Sequence, residues 1–178
     1  MNKTRKNISI IIDNWDDIFS DFDPRPLGDR LLSEDFVSEL KKRYREARRD
    51  TFSVTICAPI ALRDDNAEKM VIQRLKRDFK YQYLQRRKDL RSIRTKGAIF
   101  VLFGVTNLAA LTIITYFKLL NELHIALLGI VLMPLGWFGI WEGFSKLVDT
   151  APKHFQEEKF YEKFSEASYK FEYLEDIV

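Results

Sequence analysis

Cysteine is nearly missing from this chain of 178 residues, since Cys57 stands alone. One thiol excludes an internal disulfide and any cysteine-rich metal site. Its place in a strand-like run fits a small buried hydrophobe in a reducing compartment. Histidine is almost as scarce: His124 and His154 are far apart in the chain and suggest no nucleophile–base pair. Glycine is sparse too, and neither G-x-x-x-x-G-K-[ST] nor G-x-G-x-x-G occurs, so no glycine-rich loop is present to cradle a phosphate. The opening MNKTRKNISIIIDNWDD has basic residues but only a short apolar run before acid intervenes, which is not a signal peptide. A first membrane-crossing segment would then have to serve as its own targeting signal.

The most consequential absence is of charge. Residues 97–117 (GAIFVLFGVTNLAALTIITYF) and 123–141 (LHIALLGIVLMPLGWFGIW) contain no Asp, Glu, Lys or Arg. At about 1.5 Å rise per residue the first arm spans roughly 31 Å, the thickness of a bilayer's hydrocarbon core. Only the short polar stretch KLLNE separates the two arms, so the expected structure is an antiparallel helical hairpin. A chain this small could hardly surround two uncharged helices of that length in water. The overall 31% charged and 46% hydrophobic residues therefore average two unlike regions. Between Arg74 and Lys96 ten Lys or Arg stand against two Asp, directly before the first arm. Basic flanks stay cytoplasmic, so both termini are expected on the cytoplasmic side of the inner (plasma) membrane, with the turn on the far side. Arg86, Arg87, Lys88, Arg91, Arg94 and Lys96 are the candidate contacts to anionic lipid headgroups. The same block, with Tyr81 and Tyr83, could suggest nucleic acid, but its position beside a span favours lipid and topology.

Outside the arms the sequence alternates strand and helix signals. Asn7–Ile12 reads as a strand buried on both faces. Ser33 followed by Glu34 and Asp35 opens a helix to about 49, with Phe36, Leu40, Tyr44 and Ala47 on one face and Arg45, Arg48 and Arg49 in the last turn. Phe52–Ala58 reads as a second strand ended by Pro59, implying a parallel pair with a right-handed crossover. Asp65 to Glu68 has capping-box spacing, and Ala67, Val71, Leu75 and Phe79 form the stripe of a helix that continues without Pro or Gly to Gly97. Pro152 marks a break. A helix over about 156–167, carrying Phe160, Tyr161, Phe164 and Ala167 on one face, then leads to a third strand in YKFEYLE. The expected fold is α+β: a small sheet of about three strands with helices, interrupted by the two-helix hairpin. In that division, 1–90 is the first part of a cytosolic domain, 91–148 the basic helix end and hairpin, and 149–178 the helix and strand completing the domain.

Candidate chemistry is thin. Asp13 to Asp23 holds five aspartates, and Asp21-Phe22-Asp23 is a D-x-D of the kind that can hold Mg²⁺. Aspartate is also the commonest turn-former. The alternative reading is a rigid recognition loop of Asp21, Asp23, Pro24, Arg25 and Pro26, with Trp15, Phe19 and Phe22 packed inward and the aspartates solvated or paired to Arg25 and Arg30. Within the arms, Gly136, Gly139 and Gly143 offer a face for close helix approach, and Asn107 is a lone amide in hydrocarbon. Glu142 reads as interfacial, and Pro134 invites a kink.

The stretches IFSDFDPRPLGDRLLSEDF and PLGWFGIWEGF resemble those of small uncharacterised two-span prokaryotic membrane proteins. That resemblance implies a membrane location and carries over no catalytic residue. In layout, two spans plus a compact cytosolic domain, the chain is also similar to two-transmembrane effectors of antiphage signalling; several of those use a β-barrel sensor, from which this chain's few strands depart. The sequence thus leads to a non-enzymatic membrane protein, without cofactor. Its cytosolic domain would bind a protein or small ligand while the hairpin anchors and oligomerises it. Its expected partners are lipids and itself or another protein, and not nucleic acid. The alternatives are a metal-dependent membrane enzyme using Asp21 and Asp23, or a small channel built from several hairpins.

Overall fold

The computed structural model describes residues 6–46 and 52–174. Its elements in chain order are β1 (Lys6–Ile11), α1 (Glu34–Glu46), β2 (Phe52–Pro59), α2 (Asp65–Tyr116), α3 (Glu122–Ser145), α4 (Ala151–Glu166) and β3 (Ser168–Leu174). The chain divides into two compact units, Met1–Leu84 with Lys159–Val178, and Gln85–Glu158. The expected helix end at Ala47, Arg48 and Arg49 lies outside the described residues.

The first unit is built on a parallel sheet in the order β1-β2-β3. In register, Ile8 lies beside Val54 and Val54 beside Tyr169, and the next row on the same face is Ile10, Ile56 and Phe171. Strand side chains alternate between faces, so these rows present one continuous apolar surface. Phe36 and Leu40 of α1, Val71, Leu75 and Phe79 of α2, and Phe160, Tyr161 and Phe164 of α4 all join the core that covers it. Phe79 and Phe164 have ring centroids 5.3 Å apart, and Tyr44 meets Phe160 edge-on at 5.5 Å. Each helical set recurs every three or four residues, which is why one stripe of each helix is buried.

Two expectations change here. β1 is buried on one face: Ile8, Ile10 and Ile12 are buried, whereas Ser9 and Ile11 are exposed. A β-branched run signals a strand without telling how many of its faces are covered, and the helical core lies against one. The cap of α2 is Asp64, whose Oδ1 accepts from the backbone N–H of Asn66 (2.8 Å) and Ala67 (3.3 Å). Glu68, freed from capping, accepts a hydrogen bond from the Tyr173 hydroxyl. That contact ties α2 to β3 across the far end of the chain.

The second unit contains the apolar part of α2 and all of α3. Both are long and apolar enough to cross a membrane. Asn121 caps α3, its side-chain oxygen accepting from His124 N–H at 3.1 Å, and Lys118 in the connection takes a left-handed φ of 50°. Pro134 lies inside α3, which runs unbroken to Ser145. The chain does not break at Pro152. A π turn, Lys146–Thr150, leads straight from α3 into α4, and Pro152 occupies the first turn of α4. A wider turn is one way for a helix to absorb a proline's missing donor.

Candidate functional site

Three places carry the residues that the sequence singled out, and the first is the acidic excursion between β1 and α1. It leaves and re-enters the core at neighbouring points: Phe19 and Leu32 form an antiparallel bridge, and Ser20 N–H donates to the Leu31 carbonyl at 2.9 Å. Phe19 is fully buried, and Trp15 packs edge-on against Phe171 at 5.7 Å. The short helical turn Trp15–Asp17 is fixed by a reciprocal capping box of Asn14 and Asp17.

Asp23 is the hub of this loop. Only 8% exposed, its carboxylate accepts from Arg25 Nε (2.8 Å) and Nη2 (2.6 Å) and from the Leu31 N–H (2.7 Å). Arg30 Nε donates to the Asp23 carbonyl at 2.8 Å, while its Nη1 pairs with Asp16 at 2.5 Å. The Arg25 guanidinium, with the backbone donors beside it, holds the Asp23 carboxyl well below the usual range against the opposing pull of burial. The loop therefore brings Asp23 to arginine rather than to Asp21, which stays exposed. Among the described residues no group of three or more His, Cys, Asp or Glu is placed to hold a metal ion.

The expected inward packing of Phe22 is not found. It is 97% exposed, inside the turn that the Asp23 N–H closes by donating to the Ser20 carbonyl at 3.2 Å. With Phe19 and Ile18 already filling the core and Asp23 drawn down to Arg25, Phe22 is left outside. A lone aromatic in a loop has no periodicity to report its direction.

Next to this loop α2 presents an open depression of about 190 Å³, lined by Gly28, Met70, Gln73, Arg74 and Arg77. Two arginines clamp the loop to the helix. Arg74, itself buried, donates from Nε to the Arg30 carbonyl at 2.8 Å and lies 3.4 Å from Asp78. Arg77 Nη2 reaches the Gly28 carbonyl (2.5 Å) and Asp29 (2.8 Å), with its side chain still 60% exposed. Burial raises the Asp78 carboxyl above its ordinary value, against the pull of Arg74 and Arg77.

The second place is the interior of the helical hairpin. Every close glycine there faces the other helix. A Cβ on Gly104 would lie 2.5 Å from the Gly136 carbonyl oxygen, and one on Gly143 would lie 2.6 Å from the Gly97 carbonyl oxygen. A Cβ on Gly139 would meet the Phe100 carbonyl at 2.9 Å. Gly136, Gly139 and Gly143 are thus buried against α2 of the same chain, with Gly97 and Gly104, which were not singled out in the sequence, as their counterparts. Asn107 finds its partner within its own helix, Nδ2 donating to the Phe103 carbonyl at 2.9 Å. Glu142 pairs with Lys146 one turn on, and that ammonium also sits 5.7 Å from the Phe100 ring centroid.

The third place is the basic end of the second unit. Arg87, Lys88, Arg91, Arg94 and Lys96 are exposed; Arg86 is half-buried and 3.3 Å from Glu157. The Arg94 guanidinium lies 5.8 Å from the Phe155 ring centroid. Cys57 is half-buried in the sheet, and burial raises its thiol above the ordinary value.

Comparison with family models, with curated proteins and with solved structures finds no match for this chain.

Proposed function

We propose that this is an integral membrane protein whose hairpin is a pre-assembled two-helix anchor and whose α/β unit is a non-enzymatic binding module on the cytoplasmic side. The observation that carries the reading is where the apolar surface lies. Of the most apolar window in each long helix, only 17% and 11% is buried, so Leu102, Phe103, Ile130, Val131, Trp137 and Trp141 point outward. An exposed apolar band of this size has no stable place in water, whereas hydrocarbon accepts it. Trp137 and Trp141 fall where an aromatic belt would sit, and the exposed basic residues from Arg87 to Lys96 precede that band on one side only. Those basic residues would meet anionic headgroups, each contributing about 1 kcal/mol near the surface.

A binding role for the α/β unit is supported by what its polar residues are committed to. Asp16, Asp17 and Asp23 each hold loop backbone or an arginine, which suits a rigid recognition surface better than a metal-dependent enzyme. In intact cells, a cysteine replacing Asn121 should react with an impermeant thiol reagent added outside, while Cys57 should not. Labelling of Cys57 alone would reverse the orientation. Release of the protein by alkaline carbonate would remove the membrane reading altogether.

A further inference from the structure

We propose that β3 of one molecule pairs antiparallel with β3 of a second copy of this chain, about a two-fold axis at Phe171, joining the two sheets into one. This names a partner for the α/β unit and so rests on the binding role proposed for that unit; it does not depend on what the hairpin does. Among the described residues β3 is an outer strand of the sheet. The direction of its peptide groups follows from the ladder. Ile12 N–H donates to the Cys57 carbonyl, so the odd-numbered residues of β2 turn toward β1 and the even-numbered ones toward β3. Ile56 lies beside Phe171, and in a parallel pair its groups then meet those of Lys170 and Glu172. The N–H and C=O groups of Tyr169, Phe171 and Tyr173 therefore point out from the sheet edge, where no described residue takes them up. The opposite edge is blocked at Ser9, whose outward carbonyl accepts from the Arg43 guanidinium. A bare strand edge is a template for another strand.

The sequence of β3 selects its own copy as that strand. Around Phe171 it reads Tyr169-Lys170-Phe171-Glu172-Tyr173, the same in both directions except that the two flanking charges are opposite. Antiparallel pairing on this centre sets Lys170 opposite Glu172 of the second copy, and Glu172 opposite its Lys170. Tyr169 then meets Tyr173, and Phe171 meets Phe171. Lys170 and Glu172 are both exposed, and among the described residues neither is in an ion pair. The backbone fits the same register. Phe171, with its outward groups, falls in a hydrogen-bonded pair, while Lys170 and Glu172 fall in the closer non-hydrogen-bonded pairs. Moving the axis by one residue would set Lys170 against Lys170 or Glu172 against Glu172, which repels. A surface that is its own complement is what a two-fold contact requires. A strand from an unrelated protein would meet the same edge without this double charge match.

The test uses the full chain in isolated membranes, with two differently tagged copies in a Cys57→Ala background. On mild oxidation, a copy carrying Lys170→Cys should link to one carrying Glu172→Cys far more than either links to its own kind, because residue 170 faces 172 and is only diagonal to 170. Lys170→Glu or Glu172→Lys alone should weaken association at least about tenfold, and the two reversals together should restore it. Both positions are exposed, so thermal unfolding of the variants should be unchanged. Cross-links confined to like positions, no cross-link between copies, or a double reversal that fails to restore association would overturn the proposal. Capture of a different protein at this edge would also overturn it while leaving the α/β unit a binding module, so the two readings fail separately.

Discussion

Substituting alanine for Gly104 or Gly143 should pry the hairpin apart, whereas the same change at Gly129 should not. A Cβ at 104 would stand 2.5 Å from the Gly136 carbonyl oxygen and 2.6 Å from the Ile140 nitrogen, and one at 143 would stand 2.6 Å from the Gly97 oxygen. Those positions are about 1 Å short of ordinary contact, and the opposing atoms are backbone, so only separation of the helices can relieve them. Overpacking of this kind costs about 1–3 kcal/mol, against which alanine recovers up to about 1 kcal/mol of helix propensity. Gly129 has nothing within 4 Å, so there only the propensity gain remains. The net expectation is a loss of up to about 2 kcal/mol at 104 or 143 and a gain of up to about 1 kcal/mol at 129, so the two kinds of site should differ by about 1–3 kcal/mol. Unfolding by increasing mole fraction of sodium dodecyl sulfate, followed by circular dichroism, reads that difference. Spin labels at the exposed positions Ile99 and Trp141 would report the widening directly. If Gly104→Ala proves as harmless as Gly129→Ala, the helices are not in close contact along these glycines and the packing argument fails.

Two further outcomes concern the acidic loop. Arg74→Met should destabilise the first unit by about 1–3 kcal/mol, because it leaves the Arg30 carbonyl and the partly buried Asp78 without their donor; Asp78→Asn in the same background should recover part of the loss, as read by chemical denaturation. The Asp23 carboxyl is depressed in the folded chain, so the stability it lends is complete above the unfolded value and is lost as pH falls through the folded one. Protection of the Leu31 amide, taken relative to its intrinsic exchange rate, should accordingly fall on acidification below about pH 4, and Asp23→Asn should remove that dependence while lowering protection at neutral pH.

What could be read in the sequence was whatever repeats with a structural period. The stripes Phe36/Leu40, Val71/Leu75/Phe79 and Phe160/Phe164 follow the helical repeat and all reach the core. YKFEYLE alternates, and its described part forms β3. Features without a period were misread or missed. Phe22 belongs to a loop whose direction is set by hydrogen bonds to Asp23. Pro152 looks like a break because the rule that proline ends a helix takes no account of the π turn before it. The glycine pairing had a signal that went unused: Gly97 and Gly104 lie two helical turns apart, and to within one residue as far before the connection at Lys118–Asn121 as Gly143 and Gly136 lie after it. In an antiparallel hairpin, positions equidistant from the turn face each other. The cap of α2 was displaced by one residue because Asp64 and Asp65 are adjacent and chemically alike.

The pairing of Ser53 with Ser168 has a consequence in time. β2 leaves the ribosome long before its neighbour β3 exists, and at 5–20 residues per second the wait is on the order of ten seconds. During that interval β1, α1 and β2 lack the aromatic residues of α4, and the inner edge of β2 has no strand to meet. On the reading proposed above, most of what is made in the meantime, between the first turns of α2 and the last turns of α4, is the anchor. Completion of the water-soluble unit then comes after the hairpin has reached the bilayer, and a chain stalled at insertion would keep an open strand edge for chaperones or proteases to find.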